Sequence, residues 1–206
     1  MVDHQLRDRG IADERVLAAL LAVPRDAFVA ASLRGVAYAD DALPIEAGQT
    51  ISQPYIVGRM TELLHVGPGD RVLDIGTGSG YQAAVLAELG CAVVSIERHA
   101  SLAETARTRL AELGYGDRVE VRVGDGSLGD PAGAPWRGIV VAAAAPRVPE
   151  ALRTQLNADG GRLVIPVGTR DRQDLIVVTR TGETWAEAND GPVVFVPLIG
   201  EGGFGG

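Results

Sequence analysis

The chain has 206 residues, of which 46% are hydrophobic and 22% are charged, and its formal net charge is −8. These values are typical of one globular domain with its own core, and the acidic balance argues against a nucleic-acid partner because no broad basic face is expected. The polar first ten residues do not resemble a signal peptide and no apolar run approaches the roughly 20 residues of a membrane span, so we expect a cytoplasmic protein without a membrane partner.

The first 64 residues predict an N-terminal helical module. Asp13 precedes apolar residues that recur at helical spacing, and we expect it to cap their helix. A later helix begins with Pro54 in its first turn and ends near residue 64, with Ser52 as its expected N-cap. Residues 38–53 show no periodicity and are long for a simple connector, which is typical of a functional loop.

Residues 65–168 alternate short apolar runs with helical patterns. The predicted strands span residues 72–75, 92–96, 119–123, 138–142 and 163–167. The predicted helices span residues 81–89, 100–113 and 149–156. This alternation predicts an α/β fold with a Rossmann-like, doubly wound, mostly parallel sheet that carries helices on both faces.

The last part of the chain predicts two more strands, at 174–180 and 193–198, and a loose, glycine-rich tail after Gly200. Residues 196–198 are apolar and suit either the core or an extended edge for a peptide, and we leave them out of the predicted site residues. No linker or repeat interrupts the sequence. We therefore interpret residues 1–206 as one domain, composed of the module 1–64, a central core 65–168 and the C-terminal strands and tail 169–206.

Three glycines at alternate positions, Gly76, Gly78 and Gly80, separate a predicted strand from the helix that begins at Tyr81. This order forms the first half of a nucleotide-binding unit, because a backbone without Cβ atoms can approach a ligand and the helix N-terminus offers free N–H groups. A dinucleotide fingerprint needs a small residue where Tyr81 stands, and no Lys-Ser/Thr pair follows to make a P-loop. The loop favours S-adenosylmethionine, a sulfonium cation that a P-loop lysine would repel; a plain tight turn is the alternative.

Glu97 follows the second strand of the core, about 20 positions beyond the glycines, where ribose hydroxyls need an acceptor. A solvated charge at the end of a strand is the alternative interpretation. The turn Gly124-Asp125-Gly126 and residues 142–145 follow two other predicted strands. All of these segments map to the carboxyl edge of the sheet, where such folds bind their ligands.

The sequence indicates neither a metal site nor a disulfide. The histidines, His4, His65 and His99, are scattered and show no ligand spacing with cysteine or aspartate. The one cysteine, Cys91, cannot form an internal disulfide and is expected to be a small core residue.

The most specific motif of the chain is Thr50-Ile51-Ser52-Gln53-Pro54, whereas the glycine loop is generic to methyltransferases. Further motifs span nearly the whole chain: Val23-Pro24-Arg25, Leu43-Pro44-Ile45, residues 60–64, Ser95-Ile96-Glu97-Arg98, Gly124-Asp125-Gly126, and residues 143–149, 160–168 and 195–198. Through these motifs the chain resembles the protein-L-isoaspartate (D-aspartate) O-methyltransferase family.

The resemblance implies a seven-stranded methyltransferase sheet with added helices. It also implies methyl transfer from S-adenosylmethionine, with S-adenosylhomocysteine as product, to the free α-carboxylate of L-isoaspartyl residues in damaged proteins and peptides. The resulting ester closes to a succinimide, which opens in part to normal aspartate. Whether D-aspartyl residues are accepted stays open.

The family's catalytic serine falls on Ser52, which we expect to hold one carboxylate oxygen of the substrate and aim the other at the methyl group. A peptide carboxylate has a pKa of roughly 3.5 to 4, so it is anionic near neutral pH and needs no general base. Without the resemblance, a plain helix N-cap is the better interpretation of Ser52. The predicted substrate-binding residues are Thr50, Gln53 and Ala143. The predicted cofactor-binding residues are Asp74, Gly76, Thr77, Gly78, Ser79, Gly80, Glu97, Arg98, Gly124, Asp125 and Gly126, and among them Asp125 is expected to accept from the adenine amino group.

Three residues depart from the family's pattern: Ser127 stands where a bulky residue is common, Arg137 where an acidic residue is usual, and Ala142 where threonine is common. They leave room for a different activity, the methylation of one aspartate in a specific modified peptide. An NAD-dependent oxidoreductase is disfavoured by Tyr81, and a non-catalytic S-adenosylmethionine sensor is disfavoured by the complete block 50–54. We expect the chain to act as a monomer on isoaspartyl-containing proteins and peptides.

Overall fold

A computed structural model describes residues 1–205, without the side chain of residue 3. Its strands are β1 (Leu43–Pro44), β2 (Thr50–Ile51), β3 (Arg71–Ile75), β4 (Ala92–Glu97), β5 (Val119–Val123), β6 (Gly138–Val141), β7 (Asp159–Gly168), β8 (Gln173–Thr181) and β9 (Thr184–Val193). Its α-helices are α1 (Glu14–Ala22), α2 (Pro54–Leu64), α3 (Tyr81–Glu88), α4 (Ala100–Glu112) and α5 (Glu150–Thr154). Shorter 3₁₀ or π-helical turns are Val2–Leu6, Arg7–Arg9, Arg25–Phe28, Ala31–Val36, Glu46–Gly48 and Gly126–Leu128.

A seven-stranded sheet organises the fold, in the order β5-β4-β3-β6-β7-β8-β9. Strands β3 to β7 are parallel, and β8 and β9 continue the sheet beside β7 as antiparallel strands. Central parallel strands are covered on both faces, which explains their continuous apolar runs; all residues of β6 are buried. The strand order reverses between β3 and β6, which confirms the predicted doubly wound, Rossmann-like sheet and its seven strands.

Alternate side chains of the sheet pack on its two faces. One face, with Val72 and Val140, packs against apolar residues of α1, α2 and α3. The other face, with Leu73 and Ile139, packs against Trp136 and α5. Both faces are therefore covered by helices. Among the helices of residues 1–205, none has the length and apolar composition that crossing a membrane requires.

Helix α2 begins at Pro54 as predicted, but its N-cap is Gln53, not Ser52, and Gln53 makes no side-chain capping hydrogen bond. A carboxylate from an earlier loop takes this role, because Asp40 Oδ1 accepts from Tyr55 N at 2.9 Å. In the loop between Asp40 and α2, β1 and β2 pair as a small antiparallel sheet that the sequence pattern did not indicate. The expected capping role of Ser52 was wrong, whereas the N-cap of α1 at Asp13 is confirmed.

The last strand lies earlier than predicted. It is β9, Thr184–Val193, and residues 194–198 continue outside the sheet as an irregular segment. β9 is an edge strand whose residues are mostly exposed, so it lacks the apolar run that placed the prediction at 193–198.

The glycine-rich tail is not loose, as far as residue 205. Glu201 N donates to Asp125 Oδ2 at 2.8 Å, and Phe204 N donates to Leu198 O at 2.8 Å. The prediction failed because glycines permit close packing as well as flexibility. Gly206 lies outside the described residues.

Candidate active site

A cavity of about 760 Å³ opens beyond the carboxyl ends of β3, β4 and β6. Its size suits a small-molecule ligand, and its position, where the strand order reverses, is the usual binding site of α/β sheets. Three groups of residues line it: the glycine loop with the end of β4, the segment from residue 49 into α2, and the C-terminal segment 192–199.

Most of the predicted site residues meet in this cavity. The predicted cofactor-binding residues that line it are Gly76, Thr77, Gly78, Ser79, Glu97, Arg98 and Gly126. The catalytic candidate and the predicted substrate-binding residues also line it, namely Thr50, Ser52, Gln53 and Ala143. The remaining predicted residues are not among those that line it, namely Asp74, Gly80, Gly124 and Asp125, and their contact with a cofactor stays a prediction.

The glycine loop follows a left-handed path from β3 into α3. The φ angles are +91° at Gly76, +52° at Gly78 and +92° at Gly80, a region that favours glycine. A Cβ on Gly80 would lie 3.3 Å from side-chain atoms of α4, so this glycine serves the packing of helices. Tyr81 occupies the position where a dinucleotide fingerprint has a small residue. Its buried ring packs edge-on against Phe28 of the N-terminal module, with centroids 5.3 Å apart.

Backbone N–H groups anchor both oxygens of the Glu97 carboxylate. Oε2 accepts from Gly78 N at 2.9 Å, and Oε1 accepts from His99 N at 3.0 Å. A carboxylate oxygen can accept two hydrogen bonds, so each oxygen keeps one acceptor position in the cavity that Glu97 lines. This geometry suits the predicted acceptor for ribose hydroxyls.

Asp74 lies beneath the glycine loop and is fully buried. Its Oδ2 accepts from Ser95 Oγ at 2.6 Å, and Ser95 Oγ is also 2.6 Å from Thr77 Oγ1. Within residues 1–205 its Oδ1 has no hydrogen-bond partner. Burial raises the pKa of Asp74 to about 7, and the nearby charge of Glu97 adds to this effect. Asp74 thus supports the loop from below, through Ser95 and Thr77.

Asp125 holds the turn at the end of β5. Its Oδ1 accepts from Ser127 N at 2.9 Å and from Ser127 Oγ at 2.6 Å, and its Oδ2 accepts from Glu201 N at 2.8 Å. Burial opposes ionisation, but the hydrogen bonds from Ser127 and Glu201 outweigh it and hold the pKa of Asp125 below its ordinary value. Its neighbour Gly126 lines the cavity, so the carboxylate determines the shape of this wall.

Ser52 lies between β2 and α2 and lines the cavity. Because Asp40 caps α2, the Ser52 hydroxyl is not used by the helix, and the described part of the chain offers it no hydrogen-bond partner. Thr50 pairs with Pro44 in the small sheet, which fixes the backbone just before Ser52. The hydroxyl is therefore available to a ligand.

Sequence reasoning missed the third wall of the cavity, formed by residues 192–199. Two anchors hold this segment: Oε1 of the buried Gln173 accepts from Phe195 N at 2.8 Å, and Ala144 N donates to Val196 O at 2.8 Å. Residues 196–198 were not predicted as site residues, because their apolar character suits the core equally well, and they line the cavity. His99 and Arg172 also line it and were missed, because neither belongs to a motif.

The whole chain matches proteins of one family. The family model described as protein-L-isoaspartate (D-aspartate) O-methyltransferase matches residues 1–203. A protein-L-isoaspartate O-methyltransferase of Herpetosiphon aurantiacus is 52% identical over 204 residues, which cover 99% of this chain and 90% of that protein. One of Methylorubrum extorquens is 56% identical over 200 residues, which cover 97% of this chain and 86% of that protein. This chain belongs to the protein-L-isoaspartate (D-aspartate) O-methyltransferase family.

Solved structures agree with this assignment. A solved protein-L-isoaspartate O-methyltransferase has a TM-score of 0.88 and 29% identity, and the match covers 98% of this chain and 67% of that chain. A Plasmodium falciparum structure in complex with S-adenosyl-L-homocysteine has a TM-score of 0.80 at 24% identity over 96% of both chains, which supports the fold.

As a member of the protein-L-isoaspartate O-methyltransferase family, the chain uses S-adenosylmethionine as cofactor, and the cavity fits it. Gly76 and Gly78 carry no Cβ atom where the loop lines the cavity, Glu97 offers two acceptor positions, and residues 76–80 include no cation that would repel a sulfonium. Of the three departures from the family's pattern, only Ala142 lines the cavity; Ser127 and Arg137 lie outside it.

Proposed function

We propose that this chain methylates the free α-carboxylate of L-isoaspartyl residues in damaged proteins and peptides and so begins their repair, through a succinimide, back to aspartate. One observation carries the proposal: Ser52, with an unused hydroxyl, lines the same cavity as the glycine loop and Glu97. When bound, S-adenosylmethionine supplies a methyl group on a positively charged sulfur. A hydroxyl that can hold an acid group and a site for a methyl donor therefore share one space.

Groups at the ends of β3, β4 and β5 would hold the cofactor. The backbone of Gly76 and Gly78 approaches it closely, and the two free acceptor positions of Glu97 take its ribose hydroxyls. Gly126 and the carboxylate of Asp125 would hold the adenine. These assignments rest on the lining of the cavity and on the hydrogen bonds that leave acceptor positions unused.

The substrate side positions an acid group without moving a proton. The substrate carboxylate is already ionised near neutral pH, so Ser52 only donates a hydrogen bond to one oxygen and directs the other. Thr50 and Gln53 shape the entrance, and the apolar residues of segment 192–199 exclude water. Orientation of this kind supplies on the order of several kcal/mol of barrier reduction.

A panel of unrelated peptides tests the proposal. Each sequence is made in an isoaspartyl and an aspartyl form, and its methylation and its return to aspartate are followed by chromatography. We expect methylation of every isoaspartyl form, because Ser52 would hold the carboxylate that all of these peptides share and segment 192–199 is mostly apolar. Methylation of one sequence alone would instead identify a dedicated tailoring enzyme.

The oligomeric state, the compartment and the partners of the enzyme are also proposed. We infer a single-domain monomer of the cytoplasm, without nucleic-acid or membrane partners, that acts on isoaspartyl-containing proteins and peptides. The net charge of −8 supports the absence of a nucleic-acid partner. Light scattering after gel filtration measures the mass in solution, and matched D-aspartyl peptides establish whether that stereoisomer is also methylated.

A further inference from the structure

Residues 200–204, here called the C-terminal clip, fold back onto the Asp125 turn. Glu201 N donates to Asp125 Oδ2 at 2.8 Å, and Gly202 N donates to Ser127 Oγ at 2.9 Å. Phe204 N donates to Leu198 O at 2.8 Å and closes the clip into a turn of its own. The end of the chain is thereby attached to the wall of the cavity near Gly126.

Close contacts with neighbouring atoms require glycine at two positions of the clip. A Cβ at Gly200 would overlap Asp125 Oδ1 and would lie 2.5 Å from Ser127 Oγ, a separation that real Cβ atoms do not adopt. A Cβ at Gly203 would overlap the carbonyl oxygen of Leu198. A Cβ at Gly205, just beyond the clip, would meet nothing within 4 Å. The clip therefore fits the Asp125 turn closely, and its glycine content reflects this fit.

The clip is also held on its other side. The guanidinium of Arg170, in the loop between β7 and β8, lies 5.0 Å from the centre of the Phe204 ring. Arg170 Nη2 donates to Gly205 O at 3.0 Å. Stacking of this kind on an aromatic face is favourable. The clip thus connects the β7–β8 loop to the Asp125 turn and has a defined position between them.

The hydrogen bonds that Ser127 and the clip donate to Asp125 leave one acceptor position on its carboxylate. Oδ1 accepts from both Ser127 N and Ser127 Oγ, whereas within residues 1–205 Oδ2 accepts only from Glu201 N. An ionised carboxylate offers about four acceptor positions, two on each oxygen. Three of these are used, so the remaining position belongs to Oδ2, and the Glu201 N–H determines its direction.

We propose that the C-terminal clip positions the Asp125 carboxylate so that the remaining acceptor position of Oδ2 binds the amino group of the adenine of S-adenosylmethionine. The inference rests on the proposed function, which places the adenine beside Gly126. Glu201 acts through Asp125 with its backbone N–H, so it is a positioning residue and touches neither the cofactor nor the substrate.

Two variants of Glu201 distinguish the contribution of its backbone N–H from that of its side chain. Glu201→Pro removes the N–H, and Glu201→Ala keeps it while removing a side chain that is exposed. Calorimetry measures the binding of S-adenosylhomocysteine and of S-inosylhomocysteine, in which a carbonyl oxygen replaces the adenine amino group. We expect Glu201→Pro to weaken S-adenosylhomocysteine by roughly three- to tenfold, the effect of one hydrogen bond, and to leave S-inosylhomocysteine unchanged. Glu201→Ala should bind both ligands like the wild type.

The two ligands distinguish positioning from general damage. An equal loss for both ligands, or no loss for either, would overturn the proposal. Ser127→Ala removes the hydroxyl that joins Asp125 to Gly202 and should show the same selective loss, which keeps the test available if the proline variant does not fold. Failure of the wild type to bind S-adenosylhomocysteine at all would refute the proposed function, a result distinct from failure of the clip.

Discussion

Asp40 Oδ1 accepts a hydrogen bond from Tyr55 N at 2.9 Å and so caps a helix whose own preceding residues leave that N–H unpaired. This hydrogen bond means that the hydroxyl of Ser52, three residues before Tyr55, is not needed to cap the helix. That hydroxyl would otherwise be the natural acceptor for the start of α2. With Asp40 in that role, Ser52 lines the cavity with an unused donor.

Ser52→Ala is predicted to separate catalysis from stability. We expect kcat for an isoaspartyl peptide to fall roughly 10- to 100-fold, because the variant loses a hydrogen bond to a charged, reacting group. The affinity for S-adenosylhomocysteine should be nearly unchanged. The free energy of unfolding should also be nearly unchanged, since Ser52 caps no helix. A normal kcat together with a loss of about 1 kcal/mol of stability would restore the N-cap interpretation.

Glu97→Ala is predicted to weaken cofactor binding. The variant removes the ribose acceptor and leaves the N–H groups of Gly78 and His99 unpaired. Hydrogen bonds to charged groups contribute about 1.5 to 3 kcal/mol, so we expect the Kd for S-adenosylhomocysteine to rise roughly 10- to 100-fold by calorimetry. Glu104→Ala, at an exposed position of α4, is the matched control and should bind normally. Unchanged affinity of Glu97→Ala would remove Glu97 from the site.

Asp74 is predicted to make stability depend on pH. Burial raises its pKa to about 7, so between about pH 4 and pH 7 the folded protein keeps a proton that the unfolded chain has lost. The folded state therefore loses stability as the pH rises through this window, and the loss is complete above it. Relative to Asp74→Asn, urea unfolding should show the wild type becoming less stable from pH 5 to pH 8, by a few kcal/mol. A difference between the two proteins that is the same at every pH would contradict the burial of an ionisable Asp74.

Gln173→Ala is predicted to impair the peptide side of the cavity more than the cofactor side. The variant leaves Phe195 N unpaired and releases the wall formed by residues 192–199. We expect a loss of about 1 to 3 kcal/mol in stability and a raised KM for the peptide, with little change in S-adenosylhomocysteine affinity. Gln155→Ala is a suitable control, because Gln155 is also buried and bonds the backbone of Asp130 and Leu128 away from the cavity. If both variants raise the peptide KM equally, Gln173 has no specific role in the wall.

The parallel core of the fold could be predicted because its signals are local. Strands such as β3 and β6 are buried on both faces and appear as continuous apolar runs, and the glycines from Gly76 to Gly80 mark the turn into α3. The same reasoning placed the cofactor side of the site at the carboxyl edge of the sheet. Glu97, the last residue of β4, was predicted as a site residue from its position alone, and it lines the cavity.

The remaining features depend on contacts between distant residues. Asp40 caps α2 from 15 residues before Tyr55, and Glu201 reaches Asp125 across 76 residues, so neither partner could be inferred from local spacing. β1 and β2 contain two residues each, too few to show a period. β9 is exposed at the sheet edge and lacks an apolar pattern, which hid both the strand and the cavity wall that follows it.

Methyl transfer to a matched pair of peptides tests the central claim most directly. One sequence is synthesised with a single isoaspartyl residue and again with an ordinary aspartyl residue, and both are incubated with the enzyme and S-adenosylmethionine carrying a labelled methyl group. We predict base-labile label on the isoaspartyl peptide alone, at a rate that Ser52→Ala reduces strongly. Equal labelling of the two peptides, or none by an enzyme that binds S-adenosylhomocysteine normally, would contradict the account.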